Sequence, residues 1–348
     1  MRAEVVAMDA EHLNMEAIQK AGKILKEGGL VAFPTETVYG LGGNALDSAA
    51  SMKIYAAKGR PSDNPLIVHI ADLKDLARIT TEIPEGAQIL AKKYWPGPLT
   101  MILKKSDCVP KSITGGLGTV AIRMPSHPVA AQLIRTSGVY IAAPSANISG
   151  KPSPTRGEHV IHDMKGRIDM IIVDDTVDIG VESTIVDLSE DVPTILRPGY
   201  ITKEMLSEVL GEVRIDPAIM GSVKPGVVPK APGMKYKHYA PKAKAVIFSG
   251  APENVVAAIC ARYDEQTAKG ERVAILGLDE HHYGGRTFIS LGSEKRPQEA
   301  AARLFAALRE LDERGDTVAL CEAVDTSGIG LAVMNRMGRA AAFDIETV

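Results

Sequence analysis

The sequence predicts an α/β protein built from two domains. The chain has 348 residues, which is longer than a single hydrophobic core usually spans. Short apolar runs alternate with stretches of helical spacing along most of it, a pattern typical of strands layered with helices. Between residues 212 and 242 the composition shifts to five prolines and three glycines, which predicts a semi-rigid linker without regular structure. We therefore expect a first domain over 1–211, a linker over 212–243 and a second domain over 244–348.

The bulk composition indicates an ordinary globular protein. Hydrophobic residues make up 45% of the chain and charged residues 24%, unlike disordered or fibrous sequences. The 40 basic and 43 acidic residues give a net charge of −3. This balance argues against a protein that coats nucleic acid, although it permits a local basic cleft.

Cysteine usage and the N-terminus predict a soluble, cytoplasmic protein. Cys108, Cys260 and Cys321 stand far apart without a Cys-x-x-Cys pair, which is typical of a reducing compartment and not of a disulfide frame or a structural zinc site. The N-terminal stretch lacks the apolar core of a signal peptide. No run approaches the ~18 apolar residues of a membrane helix, so we expect no membrane association.

In the first domain, charged residues follow directly after several predicted elements. The predicted helices cover 14–28, 48–57, 72–94 with a break near Pro84, and 201–211, and the predicted strands cover 30–33, 66–69, 99–103, 120–123, 139–143, 184–188 and 195–197. Asp47 or Ser48 is placed to cap the second helix, which would deliver Lys58 at its end. The strand-to-loop junctions are where α/β proteins tend to place ligands.

The second domain reads as a small parallel α/β sandwich. Its predicted strands cover 245–248, 273–276, 287–291 and 317–320, and its predicted helices cover 252–268, 298–314 and a last stretch rich in Ala, Met and Arg. Alternating strands and helices favour parallel pairing. We find no catalytic motif here. His281-His282 lacks the context of a zinc motif, so we expect both at the surface.

Five cations lie at the ends of predicted elements in the first domain: Lys58, Arg60, Arg123, Lys151 and Arg197. Lys58 and Arg60 precede a Pro/Ser/Asp/Asn turn that cannot continue a helix. Rigidly placed cations suit a phosphate, and strand-end loops converge in an α/β fold. The five together favour a polyanion pocket. The alternative at the Lys58–Arg60 turn is an ordinary solvated basic turn.

Two segments add hydroxyl groups. Thr35 and Thr37 flank Glu36 after a strand, and polar residues alternate along 144–153. As an extended strand, the second segment would line one side with donors suited to a phosphate or a ribose. The alternatives are backbone capping by the threonines and a Ser/Gly/Pro loop with internal hydrogen bonds. The glycine run 114–119 is neither a dinucleotide fingerprint nor a P-loop; it indicates close approach of the backbone to another group.

The linker contains an aromatic and basic stretch. Residues 231–241 hold two tyrosines, one histidine and two lysines. Because long ordered loops are usually functional, we expect a lid. The alternative is a flexible tether with incidental aromatic residues.

Three motifs in combination resemble the Sua5/YrdC/YciO family and its two-domain Sua5 branch. They are Lys58-x-Arg60, Ser145-x-Asn147 and the linker run Pro-Gly-Met-Lys-Tyr-Lys-His-Tyr-Ala-Pro. The resemblance implies a YrdC-like twisted α/β domain with a concave pocket over 14–200, followed by a small Rossmann-like parallel α/β C-terminal domain over 245–348.

The resemblance also implies an activity. The Sua5 branch consists of nucleotidyltransferases that convert L-threonine, bicarbonate or CO2, and ATP into threonylcarbamoyl-AMP and pyrophosphate. The product serves the N6-threonylcarbamoyl modification of tRNA (t6A), and a separate transferase complex uses it. Mg2+ is expected with the ATP phosphates and without protein ligands. Whether this chain contacts tRNA directly stays open.

Site residues follow from the same resemblance, position by position. The implied threonine site comprises Thr37, His69, Arg123, Ala143 and Ser183, and the implied ATP site comprises Arg60, Asn64, Thr119, Ser145, Ser153, Arg197, Tyr236 and His238. Lys58 and Arg60 would stabilise charge on the phosphates, and Tyr236 and His238 would close over the nucleotide. The group that deprotonates the threonine amine is open between His69 and bulk base.

Two other functions stay open at this point. Related first domains occur in carbamoyltransferases that form carbamoyl-adenylate, but those carry additional zinc-binding regions for which this chain has neither cysteines nor length. An RNA-binding or regulatory protein is the other alternative, against which the net charge and the lack of interleaved aromatic residues in 1–210 both argue.

Overall fold

The chain forms two compact units in the computed structural model. The structure describes residues 3–174, 177–221, 230–231 and 238–348. The first unit holds the described residues up to Ser149 and those from Ser153 to Ala231. The second holds Gly150–Pro152 and the residues from His238 onward.

The first unit is built on an eleven-stranded mixed sheet in the order β1-β8-β2-β3-β7-β4-β6-β5-β9-β10-β11. The strands are β1 Glu4–Ala7, β2 Val31–Phe33, β3 Gly40–Asn44, β4 Ile67–His69, β5 Leu99–Lys104, β6 Thr119–Arg123, β7 Ile141–Ala142, β8 Met170–Val173, β9 Thr184–Asp187, β10 Thr194–Arg197 and β11 Arg214–Ile215. At its centre, β6 is parallel to β4 and antiparallel to β5, and β5 is parallel to β9.

Helices cover the sheet of the first unit. They are α1 Met15–Lys26, α2 Ser48–Lys58, α3 Leu76–Ile79, α4 Glu85–Tyr94, α5 Lys111–Thr114, α6 Pro128–Ser137, α7 Gly157–Met164 and α8 Lys203–Leu210, with 3-10 turns at Leu73–Asp75 and Pro217–Met220. In α1 the buried residues Ile18, Ala21 and Leu25 follow helical spacing. Helix α1 packs against α6, and their apolar residues share one core cluster with β2.

The caps of helix α2 fix the position of Lys58, one of the predicted site residues. The Asp47 side chain accepts the Ala49 backbone N–H and caps the helix. Gly59 ends it in the left-handed conformation, with φ +61°, which glycine adopts without steric cost. Lys58 is therefore held as the last helical residue, and its side chain is buried.

The second unit is a five-stranded sheet in the order β14-β13-β15-β12-β16, with every neighbouring pair parallel. In chain order its elements are β12 Lys244–Ser249, α9 Pro252–Ala268, β13 Val273–Gly277, β14 Phe288–Ser290, α10 Pro297–Arg314, β15 Val318–Glu322, α11 Gly330–Ala340 and β16 Ile345–Thr347. The parallel α/β class is confirmed. The strand β16 is an addition that its few residues did not signal.

Three expectations about local structure are wrong. The linker is not without regular structure, because Arg214–Ile215 forms β11 beside β10 and a 3-10 turn follows it. The segment 144–153 is not an extended strand: Gly150 has φ +93° and the Ser145 hydroxyl bonds to Asn147. Finally, His281 is not at the surface, since its side chain is 16% exposed and contacts Glu322.

Membrane insertion finds no support in the described residues. None of the helices given above combines the length and the apolar content that a crossing would require.

Candidate active site

Three polar side chains lie side by side across the centre of the mixed sheet. His69 ends β4 and is the register partner of Arg123, which ends β6. Arg123 also lies opposite Thr100 of β5. Because paired residues point to the same face of a sheet, the three side chains form one row. The next residues on this face, one pleat back along each strand, are apolar and belong to one buried cluster.

Arg123 is the most highly connected member of this row. Its Nη1 donates to the Thr37 hydroxyl at 2.8 Å and its Nε to the Gly97 carbonyl at 3.4 Å. Its Nη2 lies 2.8 Å from Glu36 Oε1. That contact meets the distance of an ion pair without hydrogen-bond geometry, so among the described residues Nη2 makes no hydrogen bond. Arg123 is thus fixed by two neighbours while part of its fork is still able to donate to a ligand.

Glu36 is the buried counter-ion of Arg123. Its side chain is 10% exposed and that of Arg123 is 5% exposed. Burial raises the pKa of the Glu36 carboxyl, but the positive charge of Arg123 beside it outweighs burial, so the pKa lies below its ordinary value. The pair is therefore charged, and removing one partner would leave the other buried without compensation.

His69 is an uncharged imidazole in this setting. Burial, followed by the charge of Arg123, lowers its pKa to about 3. Its Nδ1 lies 3.2 Å from the Ile67 carbonyl, a contact that is a hydrogen bond in the tautomer that carries the proton on Nδ1. A base this weak does not hold a proton taken from an ammonium group. His69 fits a positioning role better than the role of general base.

A second group of site residues joins the row through Thr100. The hydroxyls of Thr100 and Ser183 lie 2.8 Å apart. Arg197 donates from Nη2 to the Ser183 hydroxyl and from Nε to the Ser183 carbonyl, both at 3.0 Å. The register of β10 shifts between Ile195 and Arg197. This bulge turns the Arg197 side chain to the site face, where Thr100, Ser183 and Arg197 form one hydrogen-bonded network.

Lys58 holds the loop that follows β7. Its ammonium donates to the carbonyl of Ser145 and, at 2.6 Å, to the carbonyl of Asn147. The Ser145 hydroxyl donates to Asn147 Oδ1 at 2.5 Å. The Lys-x-Arg and Ser-x-Asn motifs are therefore in direct contact. The bonds from one ammonium to the carbonyls of both Ser145 and Asn147 also explain why 144–153 is folded and not extended.

Three predicted ATP-site residues lie at the amino ends of the central strands. Arg60 donates to the carbonyls of Asn64 and Pro65 just before β4. Thr119 opens β6 on the same face as Arg123. Within the described part of the chain, the side-chain oxygen of Asn64 is buried and has no hydrogen-bond partner, a state that a ligand donor would relieve.

The glycine run approaches this turn closely. A Cβ on Gly115 would lie 2.8 Å from the Asp63 carbonyl, so the close approach expected for the run is to the protein's own turn.

The remaining predicted residues have individual positions. Ala143 donates its N–H to the Ile67 carbonyl at 2.9 Å, which places it beside β4. Ser153 is buried and donates to Glu182 Oε1 at 2.6 Å. His238 belongs to the second unit, where its ring lies 5.5 Å from that of Tyr239. Tyr236 lies outside the described residues.

A metal ligand set is absent from the described part of the chain, where no three His, Cys, Asp or Glu side chains are grouped closely enough to hold an ion. Glu36 is paired with Arg123 and Glu182 accepts from Ser153.

Sequence reasoning missed two participants in this site and gave a third no role. Thr100 lies in an apolar strand and gained its role from the register opposite Arg123, which no local pattern encodes. Glu182 sits beside Ser183 and was visible only as one more loop carboxylate. Glu36 stands between two threonines, a signal that could have identified it as the partner of a buried cation.

The fold and this site define a class of protein. It is a two-unit α/β protein whose first sheet carries two buried arginines, Arg123 and Arg197, among hydroxyl groups. Residues 23–199 match the family model Sua5_yciO_yrdC, described as Telomere recombination. Residues 201–342 match the model described as Threonylcarbamoyl-AMP synthase, C-terminal domain. The chain belongs to the Sua5/YrdC/YciO family, in its two-domain Sua5 branch.

Relatives match over nearly the whole chain. Threonylcarbamoyl-AMP synthase of Pyrococcus abyssi is 48% identical, across 97% of this chain and 98% of the relative. The protein of that name in Bacillus subtilis is also 48% identical, across 94% of both chains.

Solved structures agree with the sequence relatives. The crystal structure of P. abyssi Sua5 complexed with L-threonine has a TM-score of 0.94 and 47% identity, covering 99% of each chain. That of Escherichia coli YciO has a TM-score of 0.51 and 25% identity, covering 57% of this chain and 95% of YciO. The YrdC-like fold of the first unit and the additional C-terminal domain are thereby confirmed.

Proposed function

We propose that the chain is an L-threonylcarbamoyladenylate synthase, which makes threonylcarbamoyl-AMP and pyrophosphate from L-threonine, bicarbonate or CO2, and ATP. The observation that carries this proposal is the network around Arg123, in which a buried guanidinium with donor capacity lies among Thr37, His69 and Thr100. The P. abyssi relative, similar over its full length, was solved in complex with L-threonine.

Arg123 binds the threonine carboxylate in this proposal. A guanidinium presents parallel N–H groups that match a carboxylate, and Nη2 is the part of Arg123 without a hydrogen bond. Thr37 and Ser183 add hydroxyls near the substrate. His69, the register partner of Arg123, adds an uncharged imidazole beside the bound threonine.

The nucleotide lies along the same sheet face toward the amino ends of the strands. Thr119 and Arg123 stand four residues apart on β6, which corresponds to about 13 Å at a strand's rise per residue. That span gives room for threonine at one end and a nucleotide at the other. Arg60 contributes positive charge at the amino ends of the strands, where the Asn64 side-chain oxygen is buried with no hydrogen-bond partner among the described residues. Arg197, which bonds to Ser183 at the end of the face that holds Arg123, contributes its charge to the phosphates from that end.

The chemistry needs positioning more than a nucleophilic side chain. The neutral threonine nitrogen attacks the carbon of CO2 and loses a proton, giving a carbamate. A carbamate oxygen then attacks the α-phosphorus of ATP, and the bond to pyrophosphate breaks. Fixed cations stabilise charge on the phosphates, and the enclosed site limits hydrolysis of the short-lived carbamate. Mg2+ accompanies the ATP phosphates.

Lys58 acts through the loop it holds. Since its ammonium bonds to two carbonyls of the Ser145–Asn147 loop, its contribution to phosphate binding is the placement of Ser145 as well as its charge. This places Lys58 as a positioning residue, in addition to the charge role inferred from the motif.

The linker acts as a lid over the site. Ala231 is fully buried in the apolar cluster of the site face, with Ile67 and Ile102. Lys230, one residue earlier, pairs with Asp187 at 3.1 Å and with Glu190 at 2.8 Å. The linker is therefore anchored on the site face immediately before the stretch that contains Tyr236.

The product passes to a tRNA threonylcarbamoyl transferase in this proposal, which places the enzyme in the pathway to tRNA N6-threonylcarbamoyladenosine. Threonylcarbamoyl-adenylate is a mixed anhydride, so an acyl-accepting reaction must consume it promptly.

The test is pyrophosphate release with each substrate omitted in turn. We expect release only when L-threonine, bicarbonate and ATP are all present. Release that continues without threonine or bicarbonate would contradict the proposal. The RNA-binding alternative predicts tRNA affinity that falls steeply with salt, measured on the same preparation, without substrate-dependent pyrophosphate release.

A further inference from the structure

The second unit contains a cavity of about 380 Å3 at the carboxyl ends of its central strands. Its walls come from the ends of β12, β13 and β15 and from the first turns of α9 and α10. From β12 the chain crosses to β13 on one side, and from β15 it crosses to β16 on the other. Open parallel sheets bind ligands at such switch points, and the volume lies in the range of small-molecule sites.

Glu322 forms the polar floor of this cavity. It ends β15, at the centre of the sheet, and its side chain is 4% exposed. Its Oε2 accepts the Leu278 backbone N–H at 2.9 Å and the Tyr283 hydroxyl at 2.7 Å. A Cβ on Gly277 would collide with that hydroxyl, so the absence of a side chain there lets Tyr283 reach the carboxylate. These contacts hold the Glu322 carboxylate in one orientation at the bottom of the cavity.

The other oxygen of Glu322 has bonding capacity left. Among the described residues, Oε1 makes one polar contact, with His281 Nδ1 at 2.5 Å. This contact has the distance of an ion pair, but Nδ1 makes no hydrogen bond. A carboxylate oxygen accepts two hydrogen bonds. This oxygen of an almost fully buried carboxylate thus lines the cavity with one acceptor position beyond the His281 contact, and a ligand donor would occupy that position.

The charges around the cavity define the ligand's chemistry. Glu294 and Asp325 stand at the rim above Glu322, and no Lys or Arg is found among the described residues that line it. The helix N-termini would favour an anion. However, proline at the first position of α9 and α10 removes one N–H donor from each. The three carboxylates outnumber His281, the basic side chain on the described lining, so the cavity disfavours phosphates.

We propose that this cavity is a binding site for a small molecule with a protonated amino group on an apolar body. The ammonium group donates to Glu322 Oε1, and the rim carboxylates of Glu294 and Asp325 add attraction. The apolar body packs against Phe248, Val255 and Leu278. The site is separate from the proposed synthase site, and its existence does not depend on that function.

The test uses n-butylammonium as the probe on the full-length chain. Amide NMR would follow the Leu278 N–H, which bonds to Glu322. We expect saturable shifts with n-butylammonium, and no shift with butyrate or n-butanol at matched ionic strength. Equal shifts with butyrate or n-butanol, shifts that rise without saturation, or no shift with n-butylammonium would each overturn the proposal.

Variants separate the carboxylate from the cavity itself. Glu322→Gln keeps the side-chain shape and an oxygen that can accept from the Leu278 N–H and the Tyr283 hydroxyl, but it removes the negative charge. It should weaken the probe's apparent affinity at least tenfold. Ala323→Leu fills the cavity with the carboxylate intact and should abolish binding. Glu313→Gln, at an exposed position on α10, is the matched control and should change nothing.

Pyrophosphate release should be retained in all three variants, since none touches the synthase site. Retained probe affinity in both Glu322→Gln and Ala323→Leu would overturn the assignment. Retained pyrophosphate release shows that each variant is folded.

Discussion

The two sheets of this protein place their polar groups differently. In the first unit, mixed pairing sets His69, Arg123 and Thr100 in a row across one face. In the second, five parallel strands bring their carboxyl ends to one edge, where Glu322 lies. The first site is rich in guanidinium and hydroxyl groups, and the second in carboxylates. The topology decides where each site lies, and the charges decide that the two sites take ligands of opposite sign.

The networks also differ in connectivity. In the first unit, Thr100 joins Ser183 and Arg197 to the row that holds Arg123. In the second, Glu322 collects its partners from one loop after β13. A change in the first network should therefore spread to more than one substrate, unless it strikes a residue at the end of the network.

Among the described residues Arg123 makes its hydrogen bonds to Thr37 and Gly97 and none to Thr100, Ser183 or Arg197, so its loss should act on threonine alone and have the largest effect. Arg123→Ala should raise the L-threonine requirement at least 100-fold, since about 3 kcal/mol or more is lost with a buried charged partner, while the ATP requirement changes little. Steady-state kinetics of pyrophosphate release measure both requirements.

The control for Arg123→Ala addresses Glu36, which the substitution leaves as an unpaired buried charge. Glu36→Gln/Arg123→Ala removes that charge and should recover stability without recovering threonine binding. An equal rise in both substrate requirements would count against the assignment of Arg123 to threonine.

Ala231→Asp should release the linker from the site face. A carboxylate in the apolar cluster with Ile67 and Ile102 costs several kcal/mol, so the segment should detach while the first unit stays folded. We expect the turnover number to fall about 30-fold, roughly 2 kcal/mol of lost transition-state stabilisation. Circular dichroism tests whether the first unit stays folded, and the rate of pyrophosphate release measures the turnover number.

The matched control is Glu190→Gln, which removes only the exposed ion pair with Lys230 and should lose little activity. Unchanged turnover in Ala231→Asp would remove the proposal that the linker is a lid.

Ser183→Ala should affect both substrates, unlike Arg123→Ala. The change deletes the hydroxyl between Thr100 and Arg197, so we expect each substrate requirement to rise about tenfold, the equivalent of one or two hydrogen bonds. Ser189→Ala, whose hydroxyl bonds only to Asp187, is the control. An effect on one substrate alone would show that the network does not connect the two sites.

His69 gives the smallest effect, and it is on stability. Its folded-state pKa of about 3 lies below the unfolded value near 6.5. Between these values the unfolded chain binds a proton that the folded chain excludes, so stability falls as the pH drops below about 6.5, by up to about 1.4 kcal/mol per pH unit. Urea unfolding of wild type and His69→Gln from pH 5 to 7 measures the slope. In His69→Gln the free energy of unfolding should fall less steeply with decreasing pH than in the wild type. Identical pH dependence in the two proteins would contradict the assignment of His69 as a buried neutral imidazole.

The sequence predicted most of the fold because its elements are locally encoded. The helix expected over 252–268 is observed as Pro252–Ala268, and the strand that ends in Arg123 is present. Errors arose where long-range contacts decide the structure. The strand β11 forms only because β10 lies beside it, and Lys58 folds the loop of Ser145 by binding its carbonyls.

The site was predictable to the extent that motifs encode it. Lys58, Arg60, Ser145 and Asn147 were visible as short patterns, and the structure places them in two adjoining turns. Thr100 was invisible because only register gives it a role. Glu322 ends an apolar strand that looks like any buried strand, so the cavity in the second unit had no local signature.

The most direct test of the central claim is a crystal structure of the protein with L-threonine and a non-hydrolysable ATP analogue. The account predicts both ligands on one face of the first sheet, with the threonine carboxylate on Arg123 and the triphosphate between Ser145 and Arg197. Ligands bound on separate surfaces, or threonine bound away from Arg123, would contradict it.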